Sequence, residues 1–153
     1  QRVADALKCM HLKAPYNHAI HCPPVASEFE HFVHLHHWPV ECEPGIPVYS
    51  AADYQPLKME SRAIADSFAR MLTQPIDFPR LVNRAYEDGA RIFIELGAGS
   101  NCSKWMDAIL KDQRHLSASI NQVNVDDHIS ILKLLAKLIS HRVSLDLSSL
   151  VAA

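Results

Sequence analysis

The sequence predicts an α/β fold with a largely parallel sheet, and two stretches near its C-terminal end carry the prediction. Residues 91–96 form an apolar run that ends in Gly97-Ala98-Gly99-Ser100 and leads into a helix from Asn101 or Cys102 to about Leu110. A second short apolar stretch, 116–121, leads into a helix announced by Asp126-Asp127. Short apolar strands separated by helices are the pattern of parallel strands joined by crossovers.

The remaining elements follow in order. Residues 2–10 read as a helix, with Val3, Ala6 and Leu7 on one face. Residues 13–20 read as an extended strand. Residues 24–34 read as a helix, with Val25, Phe29 and Val33 at four-residue steps. Pro39, Pro44 and Gly45 break the segment after it. Residues 46–51 suggest a short strand. Residues 60–72 form an amphipathic helix with Ile64, Phe68, Met71 and Leu72 on one side. Asp77 reads as the N-cap of the next helix, with Pro79 in its first turn and Gly89 past its end. The run 91–96 reads as a strand buried on both faces. In the last helix, to about Ser140, Ile129, Leu132, Leu135 and Leu138 form the expected apolar stripe; the tail 143–147 alternates apolar and polar residues.

The chain has 153 residues, about one domain's length. Its hydrophobic content of 48% is enough for a core, and its net charge of −2 with no basic run argues against a nucleic-acid surface. No apolar stretch approaches the roughly 20 residues of a membrane span. Cys9, Cys22, Cys42 and Cys102 form no Cys-x-x-Cys pair and read as reduced thiols, which fits a cytoplasmic protein without a signal peptide. Gln1 falls inside a helical pattern, so the chain is expected to be part of a longer polypeptide.

The most informative stretch is His18-Ala19-Ile20-His21-Cys22-Pro23-Pro24. The prolines stop any regular element and fix the backbone after Cys22. His21 therefore sits where a strand gives way to a constrained loop, a place that can hold a catalytic base. Spacing alone favours a histidine that merely caps a buried strand end. His18-Ala19-Ile20-His21 resembles the His-Ala-Phe-His motif of polyketide synthase acyltransferase domains, and His21-Cys22 the Ser-His-Cys context of bacterial malonyl-CoA:acyl carrier protein transacylases. The resemblance makes His21 the general base for a serine nucleophile. It makes His18 and Ile20 positions linked to substrate choice, with Ile20 replacing the family's Phe.

Three other features invite chemistry. Glu95-Leu96-Gly97-Ala98-Gly99-Ser100 resembles the first motif of S-adenosylmethionine methyltransferases, since glycines let backbone approach a ligand at a helix N-terminus. No acidic residue ends the next strand to hold ribose hydroxyls, and little chain follows. The same stretch also resembles the Glu-Val-Gly-Pro-Gly strand and turn of acyltransferase domains, where it is structural. His31, His34, His36 and His37 cluster, but no Cys or carboxylate joins them at metal-site spacing, so a solvated surface is expected and no metal. Cys22 adjoins His21, yet neighbours on an extended strand point to opposite faces, so Cys22 reads as a packing thiol. Cys102, near a helix start, could have a depressed pKa but has no assigned base.

The acyltransferase resemblance covers nearly the whole chain. Arg70-Met71-Leu72-Thr73-Gln74-Pro75-Ile76-Asp77-Phe78 is similar to the family's Asn-Leu-Arg-x-Pro-Val-x-Phe. Met71 falls on the residue whose backbone carbonyl orients the catalytic histidine, a role that survives the change of side chain. The strings 77–84 and 93–102, Asp126-Asp127-His128 and Ser140-His141-Arg142-Val143 look like the acyltransferase subunit of bacterial omega-3 polyunsaturated fatty acid synthases. The resemblance implies the C-terminal half of an acyltransferase domain. Residues 1–17 would finish a ferredoxin-like small subdomain, and 18–153 would form the C-terminal part of an α/β-hydrolase-like large one. It implies transfer of an acyl group from acyl-CoA, malonyl-CoA first, to the phosphopantetheine of an acyl carrier protein, without a tightly bound cofactor, among the subunits of a fatty acid synthase complex. No Gly-x-Ser-x-Gly elbow occurs in these residues, so the serine is expected upstream and the chain alone inactive. The alternatives are a non-catalytic acyltransferase-like scaffold and a methyltransferase.

Overall fold

Asp77 starts a helix because its carboxylate accepts the Arg80 backbone N–H at 3.0 Å, while Pro79 occupies a first-turn position that needs no donor. This helix belongs to one of two compact units, Gln1–Ile76 and Asp77–Ala153, in a computed structural model that describes residues 2–8, 19–41 and 44–148. The boundary expected between residues 17 and 18 lies outside the described residues, as do most of the strand read over 13–20 and the residues His18, Cys9 and Cys42. Among the described residues no helix is long and apolar enough to cross a membrane.

In the first unit, α1 (Arg2–Ala6) is shorter than the sequence suggests, and Val3 and Leu7 of its supposed apolar face are exposed. The helix read over 24–34 is two pieces. Pro23–Glu28 winds as a 3-10 helix, with both prolines in its first turn, before α2 (Phe29–His36) begins. α3 (Ser61–Thr73) packs Ala65 and Ala69, both fully buried, against Val33, Phe29 and Phe32 of α2. The buried face is thus the small-residue one. Ile64, Met71 and Leu72 are only half-buried and Phe68 is exposed, because close helix approach is open to alanine and not to bulky side chains. The strand expected over 46–51 reduces to one antiparallel bridge, Tyr49 with Pro56.

In the second unit, α4 (Phe78–Glu87) ends at Gly89, whose φ of +108° suits glycine. Ala90 N donates to Ala85 O and Gly89 N to Tyr86 O, which closes the helix with a Schellman turn. β1 (Ile92–Glu95) and β2 (Leu116–Ser119) pair in parallel, Ile92 opposite Leu116, with α5 (Asn101–Ile109) as the crossover. β2 is buried throughout, but β1 is not: Ile92 and Ile94 are each 40% exposed, so one of its faces is open. α4, α5 and β1 share a core of Val82, Met106 and Leu110 with Phe78 and Phe93. α6 (Asp127–Ser140) covers Leu116 and Ala118 with Leu134 and Leu138, and Val143 and Leu145 of the tail close that core. The apolar stripe expected on α6 is rotated: Ser130, Leu134 and Leu138 are buried, whereas Ile129 and Leu132 are exposed. Leu116 N and Ile120 N bond to β1, so Ser117 O points off the outer edge of β2, where Lys137 Nζ caps it at 2.6 Å.

Candidate functional site

α3 ends with carbonyls that no helical N–H can reach. Two of them are taken by one residue. His21 donates its backbone N–H to Leu72 O at 2.7 Å, and its ring Nδ1 lies 2.5 Å from Met71 O. A carbonyl oxygen only accepts, so Nδ1 carries the hydrogen and Nε2 of the neutral ring is left as the acceptor. His21 makes both contacts because its backbone is left-handed, φ +58°, a region that histidine enters more readily than most residues. The prolines that follow hold the chain from the other side: Cys22 is extended at the start of the 3-10 helix, and Val25 N returns to Cys22 O.

Ile20 precedes this histidine outside any regular element and is 39% exposed. His21 is half-buried, so Nε2 belongs to a ring that is held on one side and open to solvent on part of its surface. A ring with a fixed tautomer and a free Nε2 can take a proton from a hydroxyl or thiol brought to it. The backbone bond to the Leu72 carbonyl and the left-handed φ have no signature in the sequence.

In the second unit the loop 97–100 is tied down from within. Gly99 N donates to Asn121 Oδ1 at 2.6 Å, and the Ser119 hydroxyl bonds to Gly99 O. The α5 N-terminus is occupied as well. Glu95 Oε2 accepts Ser103 N at 2.8 Å and Oε1 accepts Cys102 N at 3.2 Å. Burial pushes the Glu95 carboxyl up, but these N–H bonds outweigh it and leave it below the usual carboxylate range. Two of the donors that a phosphate or a cofactor carboxylate would use, the amides of Cys102 and Ser103, are taken by the chain's own Glu95.

The chain matches no protein-family profile. It is 28% identical over 133 residues to a component of the polyunsaturated fatty acid synthase of Thraustochytrium sp. (strain ATCC 26185 / S-3), an alignment that takes in 80% of this chain and 6% of that protein. Its structure superimposes on the crystal structure of the acyltransferase domain from the second module of the salinomycin polyketide synthase with a TM-score of 0.78, at 17% identity, over 99% of this chain and 35% of that one. The chain has an acyltransferase-domain fold. It spans about a third of the solved acyltransferase chain and a small part of the curated synthase protein.

His36 bonds to Phe32 O at 2.7 Å and stacks on Phe68, ring centroids 4.1 Å apart, so it packs α2 on α3. Among the described residues no three His, Cys, Asp or Glu side chains gather as a metal site. Cys22 and Cys102 are free thiols. Cys102 differs from the sequence reading: burial, then the neighbouring Glu95 carboxylate, push its thiol up rather than down. The helix N-terminus that should have lowered it is neutralised by Glu95.

Proposed function

We propose that this chain is the C-terminal part of an acyltransferase domain of a polyunsaturated fatty acid or polyketide-type synthase, moving an acyl group from coenzyme A to an acyl carrier protein. One observation carries the reading: the His21 ring held by the Met71 carbonyl, with no partner for Nε2 among the described residues, within an acyltransferase fold. A serine elsewhere in the polypeptide, for which these residues offer no Gly-x-Ser-x-Gly elbow, attacks the thioester carbonyl. His21 Nε2 takes the serine proton as the carbon–oxygen bond forms, then gives it to the departing coenzyme A thiolate. In the second half His21 takes the proton of the phosphopantetheine thiol. The thiolate attacks the acyl-serine, and the proton returns to the serine oxygen.

Malonyl-CoA is the donor to test first, with His18 and Ile20 as the residues that bear on acyl choice. The chemistry uses the thioester and the carrier thiol and calls for no metal or redox group. Carrier protein domains and the other synthase subunits are the partners, and the cytoplasm the compartment.

The test is burst-phase acyl-serine formation from labelled malonyl-CoA by the complete polypeptide. His21→Ala slows loading by at least about a hundredfold with circular dichroism unchanged, and His18→Ala costs far less. Wild-type loading by folded His21→Ala would falsify the mechanism. Loss with His18→Ala alone would move the base by three residues.

A further inference from the structure

The last turns of α3, which end at the carbonyls that bond His21, are joined by side chains to the loop that precedes the helix. Ser50 is buried, and its hydroxyl oxygen accepts the N–H groups of Ala52 at 3.0 Å and Asp53 at 3.1 Å. The same hydroxyl lies 2.6 Å from the buried Ser67 hydroxyl on α3 and donates to Asp53 Oδ2 at 3.3 Å. This fixes the Asp53 carboxylate beside α3, where Oδ2 lies 2.8 Å from Arg70 Nη2. Arg70 Nε is buried without an acceptor among the described residues, which leaves Asp53 as the anchor of that guanidinium. Arg70 immediately precedes Met71, and its own carbonyl accepts Gln74 N at the helix end. Thr73, also buried, bonds back to Ala69 O.

We infer that Asp53 is a positioning residue for His21: with Ser50 it braces the last turn of α3, so that the Met71 carbonyl stays where the Nδ1 hydrogen needs it. The pair is one-third exposed on each side, so its worth to overall stability is small. Its consequence is geometric. A helix end frays unless something outside the helix holds it, and displacement of about an ångström in a positioning group can cost on the order of a hundredfold in rate. The inference rests on the proposed role of His21 only for its kinetic consequence.

The test uses Asp53→Asn, which keeps the shape and removes the charge, in the complete polypeptide labelled with ¹⁵N-histidine. His21 signals are identified by their loss in His21→Gln. The wild type shows a single Nδ1–H tautomer for His21. Asp53→Asn gives averaged tautomer shifts, and Asp53→Glu, which keeps the charge, recovers part of the wild-type pattern. Acyl loading by Asp53→Asn falls on the order of tenfold in kcat with KM for the thioester unchanged. Unchanged His21 shifts in folded Asp53→Asn overturn the inference, as does a rise in KM alone. The nitrogen shifts decide the brace whether or not His21 proves to be the base, which only His21→Ala loading addresses.

Discussion

Glu95, at the end of β1, reaches forward to cap α5, with its Oε2 2.8 Å from Ser103 N. The charge matters because the bond joins a carboxylate to the positive end of a helix. Glu95→Ala leaves the amides of Cys102 and Ser103 without their cap, and a lost cap costs about 1 kcal/mol. The folded carboxyl titrates below its unfolded value, so its contribution is complete above the unfolded pKa and disappears as the pH falls through the folded one. Urea denaturation at pH 7 should separate wild type from Glu95→Ala, and at pH 3 the gap should narrow. A gap that widens in acid would show that the carboxylate is not the cap.

The same carboxylate restrains Cys102. Burial and Glu95 both disfavour the thiolate. Removing the charge with Glu95→Gln takes away the second effect and leaves the first. At pH 8, iodoacetamide should modify Cys102 more slowly than a free cysteine, and Glu95→Gln should speed the reaction, as mass spectrometry of the Cys102 peptide would report. Slower modification in the variant would contradict the electrostatic account.

Helices were more legible than burial. Asp77 and Asp126 announce α4 and α6 because a short carboxylate before an apolar run has few other uses, and both accept the expected first-turn amides. The buried face of α6 was not legible, because Ile129, Ile131, Leu132, Leu134, Leu135, Leu138 and Ile139 surround the helix and periodicity cannot choose among them. The two-sided burial expected of β1 fails because an apolar run tells only what a strand can be packed against, and only its Phe93 face is covered by the core while Ile92 and Ile94 are exposed. At the site, the motif drew attention to His21 and Met71. The left-handed turn that brings His21 to two carbonyls of α3 depends on residues fifty apart, and no local pattern encodes it.

The end of α6 offers a stability test without reference to function. Val143 N donates to Leu138 O and Arg142 N to Ile139 O, and Val143 packs on the core that contains Leu138. This is a Schellman closure in which Arg142, at φ +62°, stands where glycine is usual. A non-glycine residue in this region costs about 1–2 kcal/mol, partly offset for glycine by its greater unfolded-state freedom. Arg142→Gly should therefore stabilise the protein by about 0.5–1 kcal/mol and raise Tm by a few degrees. A lower Tm would mean that the arginine side chain contributes more than its backbone costs.

Met71 separates a main-chain role from a side-chain one. If its carbonyl is what the His21 ring requires, the side chain can change as long as the helix end does not. Met71→Leu nearly conserves volume, so its stability cost should stay below about 1.5 kcal/mol. Its acyl loading in the complete polypeptide should match wild type. Met71→Pro keeps a carbonyl but removes the amide and drives its ring into the preceding turn of α3. That displaces the carbonyls of both Met71 and Leu72, so loading should fall toward the level of His21→Ala, a loss of at least about a hundredfold. Burst-phase loading of the two variants, with circular dichroism to establish folding, separates the cases. If Met71→Leu folds normally yet loads slowly, the methionine side chain itself meets the substrate. If Met71→Pro folds and loads at the wild-type rate, the carbonyl does not orient the base.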